Sequence, residues 1–369
     1  MHSIGGQKAK IRFSRRLVRR VQTVVITLAS GDTTKQATLP FAVKKSKSFA
    51  VFLNLRTTQG TDASRYRCRV ALDDDTHVSV TRNTASSAAQ TVTAVICVVH
   101  LREAMVLNVA HGTVTVTAAT SDFVTPAFTP TVDKDTLCIY LGNSSTMIGD
   151  SARLSKHQFD VAYTIGNNRV TATKGSSSDS GTVGYCLIQF APGIIKSKNE
   201  ALIGINTSAS DVSATQAIAA VDMSKTVVFS GGFRYSEGFS GQDCSGYLDT
   251  STQLKVERNA AYNFGTSPNA RARLIAMEFN PQYIRALTRG FGDFTGDPQD
   301  VTIDLGSPYE DPSTMFNFTG FSMTNSFANT DYAQVAIEPS GDNIVFNRDS
   351  DSSTDTNIPK PRYEAVVFR

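Results

Sequence analysis

Short apolar and polar segments alternate along the chain, and the longest apolar run, Thr91–Leu101, is rich in valine. Its length and β-branched content predict a strand buried on both faces. The motif recurs at Gly184–Phe190, Arg273–Phe279 and Ala365–Phe368. The last large apolar residues of the four segments, Leu101, Phe190, Phe279 and Phe368, are successively 89 residues apart. Three equal spacings along one chain predict an internal repeat.

Two further columns keep the period. Each closing run is preceded by a segment with a basic residue near its end: Arg82, Lys174, Arg258 and Arg348. Polar loops follow each of them. Further upstream lie the strand-like segments Ser48–Leu53, Thr136–Leu141, Thr226–Phe229 and Thr314–Phe318, and Cys97 and Cys186 are also one period apart. Segments such as Val114–Thr117 and Val301–Leu305 alternate with the period of two expected of half-buried strands. The pattern predicts an all-β chain of four tandem β-sandwich-like repeats of about 89 residues. The boundaries are an N-terminal arm over 1–17 and repeats over 18–104, 105–193, 194–280 and 281–369. The expected opening strands are Gln22–Leu28, Gly112–Thr117, Ala201–Ile205 and Asp300–Leu305. Pro281–Arg289 is expected as a short linker helix, Gly193–Lys198 as a bend, and Phe368 as part of a closing sheet.

Charge adds an asymmetry. Net charge is +3, yet Lys8, Lys10, Arg12, Arg15, Arg16, Arg19 and Arg20 all precede the first acidic residue, Asp32. This basic arm is a candidate for docking on an acidic protein surface, or else a solubilising terminus. Without interleaved aromatics, nucleic acid is the weaker partner. Five cysteines, an odd number, predict buried free thiols in a reducing compartment. No run has the length of a membrane span and no signal-peptide core follows the arm.

Catalytic patterns are missing from the sequence. The five histidines lack metal-ligand spacing, and neither a nucleophile elbow nor a phosphate loop occurs. Asp73–Asp75 suits a tight turn, and Asp349, Asp351 and Asp355 lack the glycine and glutamate of a calcium loop. The expectation is a non-enzyme with no metal or cofactor. The loops after the third-column strands of repeats three and four are aromatic. Phe233, Tyr235, Phe239, Phe321 and Phe327 are therefore candidate contact residues, or rings folded back between these two repeats.

The order Thr23–Thr34, Lys47–Phe52, Arg69–Leu72 and Val78–Thr84, then a closing apolar strand, resembles the small β-module of tailed-bacteriophage virion proteins. The resemblance covers most of the chain through strand patterns, and repeats three and four share it mainly in period. It implies a virion component assembled in the bacterial cytoplasm: a tail, neck or baseplate-associated protein, a fibre or a capsid decoration. Its partners would be other virion proteins, with homo-oligomers following particle symmetry, and the host surface. Four sandwiches on short linkers would make an elongated, stiff object, with a straight rod, a bent hook and a compact pseudo-symmetric cluster all open as arrangements. The rival reading is a host-surface or carbohydrate-binding adhesin using Phe233 and Tyr235.

Overall fold

The computed structural model describes residues 16–57, 67–82, 91–117, 121–145, 159–175, 180–205, 212–235, 244–258, 270–294, 300–309, 312–323, 335–348 and 359–369. These residues form 24 strands and, apart from single 3-10 turns, no helix. Each repeat contributes six. The first strands are β1 (Val18–Leu28), β7 (Val106–Val116), β13 (Ile195–Ile205) and β19 (Ile284–Phe291). The second are β2 (Thr34–Thr38), β8 (Ser121–Val124), β14 (Ser213–Ala217) and β20 (Asp300–Asp304). The third are β3 (Ser48–Thr57), β9 (Thr136–Ser145), β15 (Thr226–Tyr235) and β21 (Thr314–Met323). The fourth are β4 (Cys68–Leu72), β10 (Phe159–Thr164), β16 (Ser245–Thr250) and β22 (Ala336–Ser340). The fifth are β5 (His77–Arg82), β11 (Arg169–Lys174), β17 (Gln253–Glu257) and β23 (Asn343–Asn347). The sixth are β6 (Val92–Leu101), β12 (Gly181–Phe190), β18 (Ala270–Phe279) and β24 (Pro359–Phe368).

Within a repeat the sixth strand pairs between the first and third, and the fifth pairs with the second and fourth, all antiparallel. The two small sheets face each other as a sandwich, which has a core of its own in repeats two and three, whereas the cores of repeats one and four run together with the centre of the molecule. Repeat two is filled by Val114, Val161, Val170, Val183 and Leu187, and repeat three by Ile205, Leu248, Leu254, Val256 and Leu274.

The sandwiches are not independent. The fourth strand of one repeat pairs with the third strand of the next, at Arg69 with Gly142, Asp160 with Gly232 and Ser245 with Gly320. The outcome is five antiparallel sheets, three of six strands and two of three, set in a ring like the blades of a propeller. The two smaller sheets meet where the ring closes. There Asn54 Nδ2 donates to the Val335 carbonyl at 2.9 Å, and Arg56 reaches Glu338 at 3.3 Å and Asn347 Oδ1 at 2.7 Å.

Of the arrangements open to the four repeats, the structure takes a compact closed ring and not the elongated object. Its cause lies in the sixth strands. All ten residues of β6 are buried, because one face fills its own sandwich and the other requires a second partner. Those second faces converge on a shared hub. Phe190 packs edge-on against Phe279 at 5.8 Å between ring centroids, and Phe279 against Phe368 at 5.7 Å. Leu101, 1% exposed, belongs to the same core. The 89-residue period is thus the spacing of hub residues.

Two local expectations are also revised. Pro281–Tyr283 is one 3-10 turn, and Ile284–Phe291 continues as a strand, not a helix. The opening strand of repeat four is therefore β19, and Asp300–Asp304 is its second strand. Gly193–Lys198 keeps the hydrogen bond of the other internal junctions, Ile194 N donating to Ala191 O as Met105 N does to Arg102 O and Tyr283 N to Asn280 O. Its turn differs, passing through left-handed Gly193 at φ 82° where the other two are 3-10 turns.

Candidate interaction end and axial cavity

Neighbouring strands are antiparallel, so connections alternate between the two ends of the sheets. Second-to-third, fourth-to-fifth and repeat-to-repeat connections lie at one end, here the junction end. First-to-second, third-to-fourth and fifth-to-sixth connections leave from the other, the loop end. Most of the variation in length and composition between repeats falls there.

At the junction end, lysines tie each repeat to its successor. Lys47 Nζ donates to Val106 O and Leu107 O at 2.9 and 2.8 Å, Lys134 Nζ to Ile195 O at 3.1 Å, and Lys225 Nζ to Ile284 O at 3.1 Å. One strand deeper, His111 Nε2 meets Ser48 O at 2.8 Å. The corresponding Arg289 donates to Thr226 O at 2.6 Å and Met223 O at 3.0 Å. Arg289 also pairs with the buried Glu364 at 3.1 Å, whose other oxygen accepts from Val228 N at 2.8 Å. Burial raises the Glu364 pKa, and Arg289 only partly offsets this.

The basic column detected in the sequence is buried at the loop end. Arg82 donates to Asp32 O and Ala29 O at 2.8 and 2.7 Å, and Lys174 to Thr117 O at 2.7 Å. Each holds its own first-to-second connection. Arg258 and Arg348 are equally buried, and the Arg348 guanidinium lies 5.2 Å from the Phe294 ring centre. Arg82 and Lys174 are structural clamps.

The seams carry buried charge. Asp160, fully buried in β10, receives Arg234 at 2.8 Å and Arg273 at 3.0 Å across the seam between repeats two and three, and Arg273 also binds Glu200 at 2.8 Å. At the next seam Arg362, one period after Arg273, binds Glu257 at 2.8 Å and stacks 3.9 Å from the Tyr247 ring centre.

On the axis, the four third strands line a partly open cavity of about 70 Å³ toward the loop end, bordered among the described residues also by Arg67, Cys68 and Cys244. One column of the four strands reads Phe52, Tyr140, Ser230 and Phe318, and all four line the cavity. They are half-buried in otherwise largely buried strands. Three positions hold rings and the fourth a hydroxymethyl group. Asn143 accepts from the Tyr140 hydroxyl, Ser230 Oγ accepts from Gly232 N at 3.1 Å, and Phe233 and Asn317 complete the inner wall.

Of the arm residues singled out by charge, Lys8, Lys10, Arg12 and Arg15 lie outside the described residues. Arg16 is exposed just before β1, whereas Arg19 and Arg20 belong to β1 itself. The Arg20 guanidinium covers the Phe41 ring at 3.6 Å. Among the aromatic candidates, Phe239 and Phe327 lie outside the described residues. Tyr235 and Phe321 are strand residues of β15 and β21. Phe233 is also in β15 and packs inward on the repeat-three core. Asp73–Asp75 forms a turn: Asp74 caps Thr76 at 2.6 Å and meets His77 at 3.0 Å. The described residues contain no cluster of three or more His, Cys, Asp or Glu side chains able to hold a metal. Their five cysteines are buried and free, and burial pushes the Cys68, Cys97 and Cys138 thiols up to about 12. None of the described helical segments is long and apolar enough to cross a membrane.

The Ser230 column escaped sequence reasoning. Superposing the four third strands, not only the closing strands, exposes it, because one serine then stands against three aromatic residues.

No protein-family model, curated protein or solved structure matches this chain.

Proposed function

We propose that this chain is a non-enzymatic structural component of a tailed-phage virion, a tail-, neck- or baseplate-associated bracing protein that works through protein–protein contacts. The observation carrying this reading is the division of labour between the two ends of the ring. Lysines, His111 and Arg289 at the junction end are committed to joints between repeats, while connections that vary between repeats gather at the loop end. A rigid body with one variable end suits a brace that presents contacts to neighbouring subunits. The β-module resemblance supplies the phage context, and the basic arm next to Arg16 supplies an anchor for an acidic partner.

Quantitative mass spectrometry of purified particles tests this. A few copies per particle support the bracing role, near-stoichiometry with the shell protein indicates capsid decoration, and absence overturns the virion assignment. Deleting residues 1–16 is expected to abolish incorporation while the ring stays folded, and normal incorporation of that truncation would overturn the anchoring role of the arm.

A second reading, a carbohydrate-binding adhesin, draws on one observation. Phe291 exposes 41% of its surface beside Arg362 and Lys360, whose charges lie 5.1 and 5.8 Å from its ring centre. Stacking plus charged donors is sugar-binding chemistry. Glycan-array binding lost on Phe291→Ala would favour it over the brace.

A further inference from the structure

The geometry points to the axial cavity as a binding site for a small neutral aromatic molecule of the phenol class, seated where Ser230 leaves the ring of third strands one aromatic short. This goes beyond the bracing role and does not depend on it.

Size is the first argument. The cavity offers about 70 Å³, several times the roughly 10–15 Å³ that one water needs and about half of the roughly 150 Å³ of a cavity that holds benzene; because it is partly open, a ring enters it by one edge. It is shaped by an omitted side chain and not by loose packing, since Val51, Cys68, Ile139, Cys244 and Asn317 around it are buried. Chemistry is the second. Phe52, Phe318, Phe233 and Tyr140 offer edges and faces to a bound ring, the arrangement that rewards aromatic over aliphatic guests. The polar groups of the described wall besides Arg67 are the Ser230 hydroxyl, the Tyr140 hydroxyl bound to Asn143, and Asn54 and Asn317, whose amides donate to the Val335 and Val228 carbonyls. Ser230 Oγ accepts from Gly232 N and still carries its own O–H, so a phenolic oxygen can be met by a hydrogen bond there. Charge is the third. Among the described residues, Arg67 is the sole charged member of the lining and stands at the loop end, just before β4. A charged guest would lose its hydration against an otherwise uncharged wall, which selects a neutral one.

The test is ¹⁹F NMR titration of the full chain with 4-fluorophenol, with fluorobenzene and fluorocyclohexane as comparison probes. The expected result is saturable binding in the order 4-fluorophenol, fluorobenzene, fluorocyclohexane, displaced by unlabelled phenol. Ser230→Phe, which fills the gap with the ring its three counterparts carry, should weaken 4-fluorophenol binding by at least about tenfold without lowering the melting temperature. If Ser230→Phe does not fold, Ser230→Leu serves as the filling variant. Absence of saturable binding in the natural chain overturns the proposal. So does unchanged binding in a folded filled variant, or equal affinity for fluorocyclohexane.

Discussion

The Leu17 amide donates to the Arg369 carbonyl, repeating without a peptide connection the contact that joins Met105 to Arg102, Ile194 to Ala191 and Tyr283 to Asn280. Arg102 N in turn donates to Leu17 O at 3.1 Å, as Arg369 N does to Tyr283 O at 2.9 Å. The closing junction of the ring is therefore built like the internal ones.

A circular permutant follows from that equivalence. Joining Arg369 to Arg16 through one glycine, and opening the chain between Arg102 and Glu103, should give a folded ring. Circular dichroism and a melting temperature close to that of the parent are expected. A permutant that stays unfolded or aggregates would show that closing and internal junctions are not interchangeable.

The third strands make a sharper comparison. Gly142, Gly232 and Gly320 have φ of 79°, 103° and 101°, and the fourth member of the column, Asn54, has φ of 73°. A Cβ on Gly320 would overlap the Cys244 carbonyl oxygen, so Gly320→Ala should cost roughly 2–4 kcal/mol. Asn54 pairs left-handed backbone with a side-chain bond to Val335 O. Asn54→Gly keeps the backbone and loses the bond, about 1 kcal/mol. Urea unfolding of both variants measures the contrast, and equal losses would contradict it.

His111 makes stability depend on pH. Burial lowers its pKa to about 4, with the Ser48 carbonyl only partly opposing the shift. Between that value and the ordinary 6.5, the unfolded chain binds a proton that the folded chain excludes, so stability rises with pH. The contribution is fully present above the unfolded pKa and is lost as pH falls through this window, up to about 3 kcal/mol in all. Denaturation at pH 7 and pH 4.5 should show the loss, and His111→Gln should flatten much of it. A profile unchanged by that substitution would assign the loss to other groups.

Asp160 neutralises two arginines across a seam. Asp160→Ala strands Arg234 and leaves Arg273 with Glu200 alone, and should cost about 3–5 kcal/mol, lowering the melting temperature in a scan at neutral pH. A loss below about 1 kcal/mol would class the site with exposed ion pairs.

How much of this the sequence discloses depends on where each side chain is spent. The sixth strands are legible because both faces are buried, which leaves uninterrupted apolar runs and a fixed spacing at Leu101, Phe190, Phe279 and Phe368. β19 is illegible because Arg285 and Arg289 break its alternation and Pro281 opens it. Arg289 faces the Thr226 and Met223 carbonyls of the preceding repeat, a contact that no local pattern encodes. Phe233 resembles a loop aromatic beside its glycines, yet the strand runs on through it because Gly232 pairs with Asp160 of the preceding repeat. Ring closure is likewise hidden, since Asn54 and Val335 are far apart in the chain and meet through one side-chain bond.

A row of four sandwiches has three interfaces and two exposed ends; closing the ring supplies a fourth interface and abolishes the ends. Stacked-repeat proteins fray from their outermost units and need specialised caps. Here every sandwich is an interior one, held on two sides and by the aromatic hub. Melting any one of them strips both neighbours at once, so the smallest unit that can be lost is the whole molecule.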